Sequence, residues 1–75
     1  MAQDFTQTKN LPFSIEAEKA VLGGIMLKNE SWDLVSVLIR EDDFHREEHK
    51  LIYRTISNLQ ESEKPIDVIT VQEAI

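Results

Sequence analysis

Cysteine is absent from the 75 residues, which excludes a disulfide framework, a thiolate metal site and catalysis through sulfur. Only two glycines and two prolines occur, too few for a low-complexity linker. Positive charge is scarce: eight Lys and Arg stand against fourteen Asp and Glu, and the net charge of -6 repels a phosphate backbone. The basic residues are scattered as Lys9, Lys19, Lys28, Arg40, Arg46, Lys50, Arg54 and Lys64, so direct nucleic-acid binding by this stretch is not expected. Long apolar runs are missing too. The longest, residues 20–27, is far below the ~20 residues of a membrane span, and residues 1–10, with Asp4 and Lys9, hold no apolar stretch of signal-peptide length. A soluble, cytoplasmic chain without a membrane partner is the expectation.

What is present suits one small folded domain. The apolar fraction is 41%, with Trp32, Tyr53, Phe5, Phe13 and Phe44 as the aromatics. A chain of this length buries only ~60% of the surface its unfolded form exposes, so stability is marginal.

Polar residues 1–12 read as a tail ending at Pro12, which biases Leu11 toward an extended conformation. Residues 13–75 read as the folded part. Ser14 is a good N-cap, Glu16 and Glu18 lie where a helix dipole favours negative charge, and apolar residues run from Ile15 to Met26, predicting a first helix over 15–28. Trp32, Leu34, Val35, Val37, Leu38 and Ile39 recur at spacings that cover more than one face, predicting a second helix over 31–39. Residues 40–43 form a charged connection, and Phe44 is most simply an anchor tucking that loop onto the core. His49, Ile52, Ile56 and Leu59, with Tyr53 beside them, make one stripe on a third helix over 46–60. Pro65 ends it.

Residues 66–69 have strand-like composition but nothing to pair with, so a turn or single helical turn is expected there. Thr70 and Glu73 have the spacing of a capping box and predict a helix beginning at Thr70, with five residues to Ile75. Isolated helices under ~12 residues are marginal, so the domain is expected to be incomplete at this end.

Two constellations invite a chemical reading. Gly23-Gly24 could be a phosphate loop, but no strand precedes it and no Gly-Lys-Ser/Thr follows; two glycines allowing close helix packing is the simpler expectation. His45-Arg46-Glu47-Glu48-His49 fits the H-x-x-E-H spacing of inverted zinc peptidases. A catalytic zinc needs a third ligand and second-shell partners that a chain this small does not obviously supply, and the expectation is structural: His49 at the core edge, His45 near the helix start. None of Ser14, Ser31, Ser36, Ser57 and Ser62 sits in a Gly-x-Ser-x-Gly elbow. No catalytic, cofactor-binding or metal residue is assigned.

Taken in order, Pro12, Glu16-Ala17-Glu18, Ala20-Val21-Leu22-Gly23, Trp32-Asp33, Asp43-Phe44, His49 with Ile52-Tyr53, and Pro65-Ile66-Asp67 with Thr70 and Glu73 form a pattern covering residues 11–75. With these spacings the chain resembles the amino-terminal head of bacterial replicative DNA helicases of the DnaB family. The resemblance implies an all-α fold, a small orthogonal helical bundle, incomplete at its C-terminal end. It implies heads that associate in pairs on a six-membered ring and receive the primase carboxy-terminal domain. It further implies a hairpin, a linker and a RecA-like motor elsewhere in the parent protein, using ATP with magnesium to translocate on single-stranded DNA. No Gly-x-x-x-x-Gly-Lys-Ser/Thr loop occurs in the 75 residues, so no ATP-binding residue carries over, and no cofactor is expected in this stretch. On the matched positions Val21, Leu22, Ile25, Trp32, Phe44, Ile52, Tyr53 and Ile56 are expected in the core, with Gly23 a packing glycine and Thr70 opening the last helix. Two departures stand out: His45 where the family often has tyrosine, and Glu63 in a turn where glycine is frequent.

The leading expectation is an assembly and primase-docking module without catalytic activity of its own. The rival is a free-standing acidic helical adaptor or regulator, motivated by the charge of -6 and the short length.

Overall fold

A computed structural model describes residues 14–75; the expected tail and Phe13 lie outside the described residues. Four α-helices and two 3-10 turns follow one another, and no strand occurs among the described residues. The all-α expectation holds.

Helix α1, Ile15–Leu27, starts where the Ala17 N–H donates to Ser14 Oγ at 3.0 Å, as the cap residue predicts. It ends at extended Lys28, whose N–H still reaches the Gly24 carbonyl at 2.9 Å. A 3-10 turn, Asn29–Ser31, leads directly into α2, Trp32–Leu38. A second 3-10 turn, Glu41–Asp43, gives the charged connection its shape: the Arg40 N–H donates to the Asp43 carboxylate at 2.8 Å. Helix α3, Glu47–Glu61, is the longest element, and α4, Val68–Ala74, closes the chain.

The end of α3 is a Schellman turn: the Lys64 N–H reaches the Leu59 carbonyl at 2.9 Å and the Glu63 N–H reaches Gln60 at 3.0 Å. That closure needs a left-handed residue, and Glu63 takes it with φ 59°.

The last helix starts earlier than its sequence signal suggests. Asp67, not Thr70, is the N-cap: the Thr70 N–H donates to Asp67 Oδ1 and the Asp67 N–H to Thr70 Oγ1, both at 2.9 Å. The Thr70–Glu73 box is thereby displaced by three residues. Aspartate caps better than threonine, and starting at Val68 lets Val71 turn into the core.

That core comprises Leu22 and Ile25 from α1, Phe44 from the loop, Tyr53, Ile56 and Leu59 from α3, and Ile66 and Val71 around the start of α4. Ile25, Ile56 and Ile66 are fully enclosed, and burial of such side chains stabilises by roughly 1.5–3 kcal/mol each. Tyr53 sits between two aromatics, its ring 5.0 Å from Phe44 and 5.2 Å from Trp32. Phe44 is thus the anchor its position suggests. Val21, Trp32 and Ile52, expected in the core, are half-buried and pack against its outside instead.

The close-packing role expected of Gly23 and Gly24 is not seen. A methyl group at either position would meet no atom within 4 Å beyond its own stretch of helix, among the described residues. The centre of the fold lies on another side of the same helix, where Leu22 and Ile25 are buried, because α3 packs against that side of α1.

Candidate docking surface

The described residues offer an assembled frame and, on its outside, an unpartnered apolar face. The frame begins with Glu18, a residue whose first-turn position suggests only a dipole partner. It is 3% exposed, and its carboxylate receives the N–H of His45 at 2.6 Å and of Arg46 at 3.5 Å, and the Nδ1–H of His49 at 2.6 Å. Helix α3 has no side-chain cap of its own at Arg46, and the α1 carboxylate holds its start from outside, through the backbone N–H groups of His45 and Arg46 just before the first turn and the His49 ring within it. Burial pushes the Glu18 carboxyl up, but the His49 hydrogen bond, the two backbone N–H groups and the field of His49 together outweigh it and hold the carboxyl below its ordinary value.

This arrangement also disposes of the helical geometry that H-x-x-E-H requires. His45 precedes α3, which begins at Glu47, so the two imidazoles do not sit one turn apart on a single helix. His49 Nδ1 is directed to Glu18, and Glu48 pairs with Arg46. Among the described residues no three His, Asp or Glu side chains gather as a metal site.

Asn29 forms the second joint. Its Nδ2 donates to the carbonyls of Ile25 and Ile66, both at 2.8 Å, while its Oδ1 accepts the Ile66 N–H at 3.0 Å. One amide side chain thus mimics a strand partner for Ile66 and fixes where α4 begins. A third joint is the Tyr53 hydroxyl, which donates to the Ile39 carbonyl at 2.6 Å just past the end of α2. Burial first, then the negative charge of Asp43, push the Tyr53 phenol above its ordinary value. A fourth is the two-pronged Arg54–Glu41 pair, with Nη2–Oε2 at 2.6 Å, which ties the second 3-10 turn to α3. Its hydrogen bond from Arg54 holds the Glu41 carboxyl low.

These joints hold α2 against the bundle by one side only. Trp32, Val35 and Ile39 face inward and pack on the core, and no residue of the helix is fully buried. At 100° per residue, Leu34, Val37 and Leu38 fall on the opposite side, and they are 66%, 78% and 68% exposed. Leu27, Val68, Ile69 and Ile75 are exposed elsewhere. Between α2 and α3 runs an open groove of about 340 Å³ with Trp32, Ile39 and Tyr53 on its floor and the Arg54–Glu41 pair on its rim. The apolar spacing of α2 shows in the sequence as periodicity on more than one face; which face stays outside does not. Glu18 and Asn29 carried no sequence signal for their roles, since the partners of Glu18 and the Ile66 backbone that Asn29 holds lie 27 to 37 positions away.

The model of the DnaB-like helicase N terminal domain matches residues 10–75. The chain is 48% identical over 65 residues to the replicative DNA helicase DnaB of Buchnera aphidicola subsp. Baizongia pistaciae, a stretch covering 87% of this chain and 14% of that protein. The DnaB of Haemophilus influenzae is 45% identical over 64 residues, 85% of this chain and 14% of its own length. The replicative DNA helicase DnaC of Bacillus subtilis is 42% identical over 60 residues, 80% of this chain and 13% of that protein. The chain therefore spans about 14% of the length of the curated relatives it matches. With an all-α bundle, the ordered motif set and a family match over residues 10–75, the chain belongs to the family of DnaB-like helicase N-terminal domains.

Proposed function

We propose that this chain is the assembly and partner-docking head of a replicative DNA helicase. In this reading the parent protein unwinds DNA as a six-membered ring driven by ATP with magnesium, and the head presents helix faces to sister subunits and to primase. Family membership supports the replicative role. The observation that carries the docking role is α2, a short helix apolar on both sides with one side unoccupied among the described residues. Single exposed apolar residues are ordinary on a protein surface, whereas a contiguous apolar face marks a place of contact.

The ATP and magnesium chemistry is assigned to other segments of the parent, because the 75 residues contain no phosphate-binding loop. The head contributes contacts and geometry. Its acidic balance also suits a part held away from the DNA path.

The test is co-purification of the chain with the carboxy-terminal domain of the cognate primase, followed by size-exclusion chromatography. A stable complex is expected, as is paired association of heads in the full-length protein. Absence of both, with the chain shown folded by circular dichroism, would leave the acidic-adaptor reading in its place.

A further inference from the structure

We propose that the outward face of α2, built from Leu34, Val37 and Leu38, seats an amphipathic helical segment that carries Lys or Arg beside its own apolar stripe. This rests on the docking reading above and deepens it by naming the chemistry of the partner at one site.

The shape comes first. Three apolar side chains at i, i+3 and i+4 make a ridge along little more than one helical turn, about 6 Å long, the spacing of the i, i+3, i+4 anchors through which an amphipathic helix makes contact. The three are each more than three-fifths exposed, so the ridge stands proud of the bundle.

Charge then selects among occupants. From Asn29 to Ile39 the chain has no basic residue. Glu30 and Asp33 stand exposed before the ridge, and Asp42 and Asp43 stand exposed after it, with Arg40 the single cation between. Acidic groups therefore bracket the apolar face at both ends. A second copy of α2 laid along the first, in either direction, would bring acidic ends against acidic ends. A helix with basic flanks would meet each end with opposite charge. Complementarity of this kind fixes orientation and partner choice more than it adds affinity.

Two probes of identical apolar pattern test this: a fluorescently labelled Leu/Lys amphipathic peptide and its Leu/Glu counterpart, titrated against the intact chain by anisotropy. The Leu/Lys peptide is expected to bind at least tenfold more tightly. Its methyl shifts should centre on Leu34, Val37 and Leu38, and binding should weaken in 0.5 M salt. Val37→Lys should weaken binding at least tenfold with an unchanged far-ultraviolet spectrum, while Val68→Lys on α4 should leave it within twofold. The proposal is overturned by equal binding of both peptides or by shifts centred on Val68 and Ile69. Concentration-dependent dimers abolished by Val37→Lys would overturn it in favour of a second copy. Cross-saturation from residues 1–13 to the Leu34 methyls in the free chain would overturn it in favour of a covered face. If primase still co-purifies with Val37→Lys, this assignment falls while the docking function stands. If wild-type chain captures the Leu/Lys peptide as expected but no primase, the reverse holds.

Discussion

Glu18 Oε1 lies 2.6 Å from His49 Nδ1, and both side chains are buried where α1 meets the start of α3. The pair joins residues 31 positions apart, and the same carboxylate receives the backbone N–H groups of His45 and Arg46. One side chain thus holds the entry of α3, the approach from the Phe44 loop and the α1–α3 contact together. Outside this cluster the α1–α3 junction is held by apolar packing, which is not directional.

Removing Glu18 from such a cluster is costly because the His49 ring stays buried and loses its partner. Glu18→Ala is expected to destabilise the chain by about 3 kcal/mol, much of the total for so small a domain. Glu18→Gln, which keeps an acceptor oxygen, should cost less. Urea titration at pH 7 reads both, and a loss under about 0.5 kcal/mol for the alanine variant would mean that the cluster contributes nothing net.

The same carboxylate sets a pH dependence. Glu18 is held below its ordinary value in the folded chain, so across the range between its folded value and about 4.3 the unfolded state binds more protons. Stability from this group is fully present above that ordinary value and is lost as pH falls through the folded one. Glu41 and Glu48, lowered by hydrogen bonds from Arg54 and Arg46, act in the same direction, but Glu48 is exposed, Glu41 is only half-buried, and both are screened by solvent. Glu18→Gln should flatten the acid limb of a plot of urea midpoint against pH, while Glu41→Gln should barely alter it.

What the sequence made legible was local. Ser14 capping α1, the stripe on α3, the stop at Pro65 and the anchor at Phe44 depend on neighbours within a turn or two, and all appear where the pattern places them. Glu18 and Asn29 look like an ordinary first-turn acid and an ordinary helix breaker until distant backbone reaches them. Asp67 and Thr70 compete as caps, and cap preference favours Asp67 locally while the burial of Val71, which no local rule contains, favours the same start. The docking face was half legible: apolar residues on two sides of α2 were plain, but the side that faces outward follows from packing on Tyr53.

Glu63 holds a left-handed conformation that costs a residue with a Cβ about 1 kcal/mol. Glu63→Gly should therefore stabilise the chain by up to about that amount, and Glu63→Asn by less. Glu63→Ala should not, because it keeps the Cβ. Thermal midpoints of the three variants decide the matter, and a lower midpoint for the glycine variant would mean that the Glu63 side chain contributes something beyond the turn.

Asn29→Ala removes the donor to Ile25 and Ile66 and the acceptor for the Ile66 N–H. Loss of about 2 kcal/mol is expected, concentrated at the entry of α4. Amide exchange of Ile66 should accelerate more than that of Ile56, which lies mid-α3. Asn29→Asp should be at least as damaging, because it places a carboxylate against the Ile25 and Ile66 carbonyls while leaving the acceptor for the Ile66 N–H intact.

Gly23 and Gly24 supply the sharpest distinction between what this chain needs and what it presents. Within a helix each glycine costs about 1 kcal/mol relative to alanine, and nothing among the described residues crowds either position. Gly23→Ala and Gly24→Ala should each raise the stability of the isolated chain by up to about 1 kcal/mol in urea titration. If they do, no close approach within this fold requires the glycines. A loss of self-association or primase capture in the same variants would then place a partner's backbone against α1 there. If the variants instead destabilise the isolated chain, a packing contact from residues outside 14–75 is required, and the close-packing role read from the sequence is restored.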